Sequence, residues 1–156
     1  MTNLTDAVKE RLKHYIEQAV DDIYVSTNWN IDLAYAKDYP IATIKLEPLS
    51  WKQEVFGKKV PEDGAFVEVH FSIWVADEEN RDYIDEHPFD WQVQDTVDEI
   101  CDYLVVISGN ETERTSHNIH RIWDVTVDSA SSRKGNRPRA INIMIIKGKI
   151  WAKWLD

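Results

Sequence analysis

The feature that most constrains the fold is an alternating stretch in the middle of the chain, residues 65–75. Apolar residues occupy every second position and more polar ones fall between them; the two sets are Val67, Val69, Phe71, Ile73 and Val75, and Glu68, His70 and Ser72. Because successive side chains of a strand point to opposite faces, this pattern predicts a strand with one apolar and one largely polar face. Strand-like stretches precede and follow it, so we expect it in the centre of an antiparallel sheet.

The N-terminal segment predicts an amphipathic helix. Its apolar residues recur at spacings of three and four from Leu4 to Ile23 and form one stripe. Asn3 or Thr5 can cap the start of this helix. We expect the helix to fade near residues 25–26.

The next segment predicts one clear strand and two less regular stretches. Residues 41–47 alternate after Tyr39–Pro40 and indicate a strand, which Pro48 ends or restricts to a sheet edge. Residues 31–38 indicate a short strand or an irregular segment. Residues 51–64 indicate a loop or a loose hairpin excursion.

The C-terminal half predicts a helix followed by a hairpin. Apolar residues at helical spacing follow Pro88, and Gly109–Asn110 is a stop signal. Two strands follow at 119–127 and 140–146, and the second can continue past Gly148 to Trp154. Alternation places Ile119, Trp123, Val125 and Val127 on one face of the first strand. In the second strand it places Ile141, Ile143 and Ile145 on one face and Met144 and Ile146 on the other.

These elements predict one α+β domain over residues 1–156, in the order α, (β), β, β, α, β, β. We expect an antiparallel sheet of four to five strands with two helices packed on one face. The other face would carry Glu68, His70, Ser72 and Trp74 together with Met144 and Ile146. Such a mixed face is one on which a partner or a neighbouring subunit can bind.

Charge is distributed unevenly along the chain. The formal net charge is −10, and residues 77–102 contain eleven acids and one base, Arg81. An acidic surface argues against general or sequence-specific binding of nucleic acid, which requires Lys and Arg opposite phosphates. The single cysteine, Cys101, excludes an intrachain disulfide. With no signal-peptide pattern and no apolar run of about 20 residues, we expect a soluble intracellular protein without membrane contact.

No catalytic motif stands out, so we expect a protein that is not an enzyme and needs no metal or cofactor. His117 and His120 are three apart and would point to opposite faces of a strand, and His70 lies on a polar face. Cys101 has no flanking base, so we expect a small buried or half-buried helix residue and not a nucleophile.

The candidate interaction residues are two clusters of opposite charge. A basic turn contains Arg133, Lys134, Arg137 and Arg139, and the second helix carries Asp95, Asp98, Glu99 and Asp102. The turn of one copy could meet the acidic helix of the next in a head-to-tail contact. The alternative is that the turn is simply a solvated hairpin tip.

The order of elements, together with Tyr39–Pro40 and the hydrophobic strand after it, resembles the tail-terminator and minor tail proteins of long-tailed phages and archaeal viruses. The resemblance implies a structural virion protein that forms a ring, commonly hexameric, caps a tail tube and joins it to the head connector. It implies no cofactor and no catalysis, and a location in the virion or the host cytoplasm.

Two other classes fit the sequence. One is an enzyme or ligand-binding domain with an aromatic pocket drawn from Trp29, Trp51, Trp74, Trp91, Trp123, Trp151 and Trp154. The other is a small cytosolic acidic regulator or immunity-type protein, whose acidic helix mimics nucleic acid or meets a basic partner.

Overall fold

The computed structural model describes residues 4–28, 33, 36, 38–47, 52–54, 65–79, 92–116, 119–133 and 140–154. The helices are α1 (Leu4–Ala19), α2 (Gln92–Ser108) and α3 (Glu111–Ser116). The strands are β1 (Tyr24–Ser26), β2 (Ile41–Leu46), β3 (Lys52–Glu54), β4 (Ala65–Glu78), β5 (Ile119–Arg133) and β6 (Ile141–Trp154). The predicted α+β class is confirmed, but the described residues form six strands instead of four to five, and a short third helix follows the two predicted ones.

The six strands form one sheet in the order β1-β2-β4-β6-β5, and β3 also pairs with β4. β1 is parallel to β2, and the other pairs are antiparallel. The stretch 65–75 lies in β4, between β2 and β6, as its alternation predicted. β6 continues past Gly148 to Trp154, which the sequence had left open.

β2 and β3 lie one after the other along the same edge of β4. Glu47 N donates to His70 O at 3.0 Å, so pairing extends one residue beyond β2. Between the pairs Leu46–Phe71 and Lys52–Glu68, the segment that runs from β2 to β3 advances by six residues, whereas β4 advances by three. The prediction of a loop or loose excursion over 51–64 is therefore wrong for residues 52–54, which form a strand; the rest of that stretch lies outside the described residues.

α1 ends earlier than its apolar stripe predicted. It stops at Ala19, and Asp22 has a positive φ of 59° in the turn that follows. Asp tolerates this left-handed conformation better than most residues because its short side chain can bond locally. The chain then enters β1, whose backbone pairs with β2. Residues 24–26 are therefore a strand, and not the fading end of the helix.

α1 and α2 pack on one face of the sheet, as predicted. The alternating residues of β4 that face them are each at most 1% exposed, and they are Val69, Phe71, Ile73 and Val75. They meet Leu12 and Ile16 of α1 and Ile100 and Leu104 of α2 in the main core. Full burial of a side chain of this size stabilises the fold by about 1.5–3 kcal/mol.

The second helix ends where the sequence indicated. Gly109 N donates to Val105 O at 3.2 Å and closes the last turn of α2. Asn110 Oδ1 then accepts a hydrogen bond from Glu113 N at 3.0 Å and caps α3. The predicted start at Pro88 lies outside the described residues. No helix in the described part of the chain is long and apolar enough to span a bilayer.

A smaller apolar cluster covers one end of the opposite sheet face. Leu33, with partly buried Ala36 and Tyr39, packs against Ile41, Ala76, Ile141 and Ile143. The Tyr39 hydroxyl donates to Leu33 O at 2.7 Å and accepts from Ala36 N at 3.1 Å. The Tyr39–Pro40 peptide bond is cis. The two hydroxyl bonds tie this segment to itself, and its apolar side chains pack it against the sheet.

The predicted placement of Met144 and Ile146 on the face away from the helices is wrong. Met144 pairs with Val75 and Ile146 with Ile73, so both lie in the main core. Alternation shows which residues of a strand share a face, whereas the register with β4 determines which face that is.

The predicted common face of β5 is also wrong. Register shifts occur between Ile119 and Arg121, between Trp123 and Thr126, and between Val127 and Ser129. Each β-bulge changes which residues face the core. Ile122, at 3% exposure, pairs with buried Ile150 on the core side, whereas Trp123 pairs with Lys149 on the opposite face. Val127 pairs with Ile146 on the core side but is 43% exposed.

Gly148 provides a direct test of the β4–β6 packing. A Cβ at this position would lie 2.4 Å from Cζ of Phe71, whose side chain is itself buried. We expect Gly148→Ala to lower the free energy of unfolding by about 1–3 kcal/mol because the ring has no space to move into. Chemical denaturation measures this change.

The matched control is Gly109→Ala. Its added Cβ would lie 3.6 Å from the nearest heavy atom, Val106 O, which is an ordinary contact. We expect a much smaller loss of stability for this variant. Equal losses for the two variants would contradict the described packing of Phe71 over Gly148.

Candidate functional site

The candidate site is the part of the sheet face opposite α1 and α2 that the Leu33–Tyr39 segment does not cover. We call this part the open face. Pairing and alternation place on it Lys45, Glu68, His70, Ser72, Trp74, Arg121, Trp123, Thr126, Ile145, Lys147, Lys149 and Trp151. The sequence predicted that the polar face of residues 65–75 is exposed. Trp74 on this face is 37% exposed, but Ser72 is only 3% exposed.

Ser72 is buried because long side chains flank it. It pairs with Lys45 of β2 on one side and with Lys147 of β6 on the other. His70, two residues earlier on the same face, pairs with Lys149. The centre of the open face is thus a small hydroxyl residue surrounded by lysines and a histidine.

A cleft of about 420 Å³ opens at this centre. Its walls come from β4, β5 and β6, with Glu47 just beyond the end of β2; the lining residues are Glu47, His70, Phe71, Ser72, Asp124, Thr126, Lys147, Gly148 and Lys149. Carboxylates, ammonium groups and hydroxyls all reach it. The cleft is therefore polar and presents both signs of charge.

One hydrogen bond and two ion pairs orient the polar side chains of the open face. His70 Nε2 lies 3.1 Å from Glu68 Oε2, Lys147 Nζ lies 3.0 Å from Asp128 Oδ2, and Lys149 Nζ lies 3.3 Å from Asp124 Oδ2. The Lys147–Asp128 pair is about half exposed, at 51% and 52%. Pairs this exposed contribute about 0–1 kcal/mol each, so they orient the side chains more than they stabilise the fold.

Asp124 reaches Lys149 from an irregular position of β5. It lies within the register shift between Trp123 and Thr126 and has a positive φ of 53°. Bulges of this kind redirect a side chain and increase the local twist. Sequence alternation cannot reveal this contact, because it depends on residues that break the alternation.

Aromatic side chains flank the polar centre. The rings of Trp123 and Trp151 are tilted, with centroids 6.3 Å apart, and the Arg121 guanidinium carbon lies 5.3 Å from the Trp123 centroid. The described lining of the cleft contains no tryptophan. Of the other tryptophans proposed for an aromatic pocket, Trp29, Trp51 and Trp91 lie outside the described residues, as does the side chain of Trp154.

The acidic candidate cluster lies on the outer surface of α2. Asp95, Asp98, Glu99 and Asp102 are all exposed. Val105 and Val106, at 63% and 64% exposure, continue the same helix beyond them. This surface is well away from the core side of α2, which carries Val97 and Ile100.

The structure describes the basic turn only at its first residue. The backbone of Arg133 is the last position of β5, and Lys134, Arg137 and Arg139 lie outside the described residues. No group of three or more potential metal ligands occurs in the described ranges. His117 and the side chain of His120 lie outside them.

A buried carboxyl and a half-buried thiol lie away from the open face. Asp77 is 6% exposed, pairs with buried Asn142 of β6, and accepts a hydrogen bond from Glu78 N at 2.8 Å. Burial raises the pKa of Asp77 to about 6. Burial, with a smaller contribution from Asp98 and Asp102, raises the pKa of the Cys101 thiol to about 11, which disfavours the reactive thiolate.

Comparison with protein-family models and with curated proteins finds no match to this chain. The function must therefore be inferred from the surfaces just described.

The pKa of Asp77 predicts how stability depends on pH. Because the folded-state pKa is raised above the ordinary value of 3.8, this carboxyl stabilises the fold below about pH 4, and that contribution is lost as the pH rises through about 6. A shift of this size corresponds to a free energy on the order of 3 kcal/mol. We expect Asp77→Asn to increase stability at pH 7 and to flatten the dependence between pH 4 and 6.

Thermal or chemical unfolding at a series of pH values measures this effect. Asp128→Asn is the matched control, because its carboxylate is half exposed and paired only with Lys147 at the surface. Two results together would contradict the burial of this carboxyl: a gain in wild-type stability as the pH rises from 4 to 6, and an Asp77→Asn variant that is less stable than the wild type at pH 7.

Proposed function

We propose that this protein is a structural virion protein of the tail-terminator or head–tail joining type. It assembles as a ring of identical subunits that caps a tail tube, with the tube protein or the connector as further partners. Its location is then the virion or the cytoplasm of the host. The observation that carries this proposal is the open face of the sheet, whose other face α1 and α2 cover in the described part of the chain.

An open sheet face of this composition suits contact with protein. Interfaces are enriched in Trp, Tyr and Arg and carry polar groups that pair across the contact. Trp74 and Arg121 on the open face and Tyr24 at its edge belong to these types, and Trp74 and Tyr24 are 37% and 53% exposed. The Lys147–Asp128 and Lys149–Asp124 ion pairs orient charged groups of this face.

The order of elements supports the same proposal. α1 comes first, β2 begins at Ile41 directly after Tyr39–Pro40, and α2 precedes the long hairpin of β5 and β6. This is the order implied by the resemblance to tail-terminator proteins. The strands of the hairpin have 15 and 14 residues, so it is the longest feature of the sheet.

A second candidate function is a small acidic binding domain whose ligand occupies the cleft. The polar cleft of about 420 Å³ favours it, because small-molecule sites are concave and of this size. Such a ligand would carry both acidic and basic groups, to match Asp124 and Lys149. A regulatory role through the exposed acidic surface of α2 belongs to the same class.

Sedimentation velocity tests the proposed assembly. We expect a discrete oligomer at low salt that weakens as salt rises, because the screening length falls from about 10 Å at 0.1 M to about 3 Å at 1 M. We expect replacement of the basic cluster by Ser to weaken the assembly further; the changes are Arg133→Ser, Lys134→Ser, Arg137→Ser and Arg139→Ser.

The control removes basic charge from α1 with Lys9→Ser and Lys13→Ser, and it should sediment like the wild type. A wild-type protein that is monomeric at high concentration and low salt would contradict the ring. Identical sedimentation of the wild type and the turn variant would leave the basic turn as a solvated hairpin tip.

A further inference from the structure

Besides the short β3, which pairs with β4 alongside β2, the described sheet has one edge strand at each end, β1 and β5. In the described part of the chain, no strand pairs with the outer edge of either one. Edge strands present unpaired N–H and C=O groups that can pair with another chain, and proteins usually block this with bulges, charges or proline. The two edges of this sheet differ in how they are blocked.

The first half of β5 is blocked in two ways. All three register shifts of the strand fall between Ile119 and Ser129, and Asp124 has its left-handed backbone there. Charged residues also occur in this half, including Arg121 and Asp128. Bulges and charges together turn this edge away from a further strand.

The second half of β5 has neither protection. Five consecutive residues pair with β6 without a shift, from Ser129 with Ile145 to Arg133 with Ile141. Residues 129–132, Ser-Ala-Ser-Ser, contain no charge and no proline. In a chain with 29% charged residues, a regular edge of this kind is well suited to pairing with a strand. We call residues 129–133 the regular stretch of β5.

The opposite edge of the sheet is also unblocked. β1 consists of Tyr24, Val25 and Ser26, without charge or proline, and Tyr24 is 53% exposed. Exposed Asp21 and Asp22 precede it, with Ile23 between them and the strand. By contrast, the regular stretch of β5 ends in Arg133, and Lys134 follows in the sequence.

We infer that the regular stretch of β5 in one copy pairs antiparallel with β1 of the next copy, so that the sheets of neighbouring subunits continue into one another. This inference rests on the proposed ring. A foreign strand would need only one unblocked edge, whereas a head-to-tail ring of identical subunits uses two different edges of each subunit.

The strand directions within the subunit favour the antiparallel direction, and the charges at the two edges agree with it. Within the subunit β5 is antiparallel to β6, β6 to β4 and β4 to β2, and β1 is parallel to β2, so β1 and β5 run in opposite directions. A neighbour whose sheet continues this one in the same orientation therefore brings β1 antiparallel to β5. In that arrangement Asp21 and Asp22 of one copy lie beside Arg133 of the other.

Crosslinking between introduced cysteines tests this contact. In a Cys101→Ser background, Tyr24→Cys and Ser131→Cys place thiols at exposed positions of the two edge strands, on the sheet face opposite α1 and α2. A short bismaleimide should convert the double variant into a ladder of covalent multimers, whereas each single variant should stay uncrosslinked. Mixing the two single variants should give covalent dimers only.

The matched control combines Tyr24→Cys with Thr126→Cys, an exposed position in the bulged half of β5, and it should give no ladder. Dimers from Ser131→Cys alone would show that β5 pairs with itself and would overturn the head-to-tail contact. A double variant that sediments as an oligomer but forms no ladder would overturn this inference and leave the proposed function standing. A protein that is monomeric throughout would overturn both.

A charge exchange adds a measurement that a folding defect cannot imitate. Asp21→Lys with Asp22→Lys, and separately Arg133→Glu with Lys134→Glu, should each shift the oligomer to smaller sedimentation coefficients. The combined variant should recover the wild-type coefficient, because the opposite charges again face each other. Failure of the combined variant to recover, with both parents folded and dissociated, would overturn the pairing direction.

Discussion

The antiparallel pairing of β4 with β6 is the interaction on which the rest of the structure depends. It runs without a register shift from Ala65 opposite Trp154 to Glu78 opposite Ile141. Side chains alternate between the two faces of a strand. This one register therefore decides which alternate residues of β4 and β6 contact α1 and α2 and which lie on the opposite face. The contact of Phe71 with Gly148 lies within it, and so do the His70–Lys149 and Ser72–Lys147 pairs around the cleft.

The sequence predicts the elements whose residues follow a single period. The alternation of 65–75 and the apolar stripe of α1 predict a central strand and a helix, and both are present. β1 and β3 were missed because three residues are too few to show a period. Their strand conformation comes from backbone pairing with β2 and β4 and not from their own side chains.

The candidate site was only partly predictable, for the same reason. The presence of His70 and Trp74 on the face away from the helices follows from alternation. The Lys149–Asp124 pair does not, because it requires both the β4–β6 register and the bulge in β5. The charge contrast between α2 and the basic turn is plain in the sequence, but which surfaces meet depends on the directions of the edge strands, which only the sheet order provides.

The central claim is that subunits join by continuing their sheets through β1 and the second half of β5. Amide hydrogen exchange, compared between assembled protein and protein diluted until it dissociates, tests this claim most directly. The account predicts that exchange slows on assembly at residues 24–26 and 129–133 and stays unchanged in the bulged half of β5. Equal exchange in these two segments before and after assembly, with protection gained elsewhere, would contradict it.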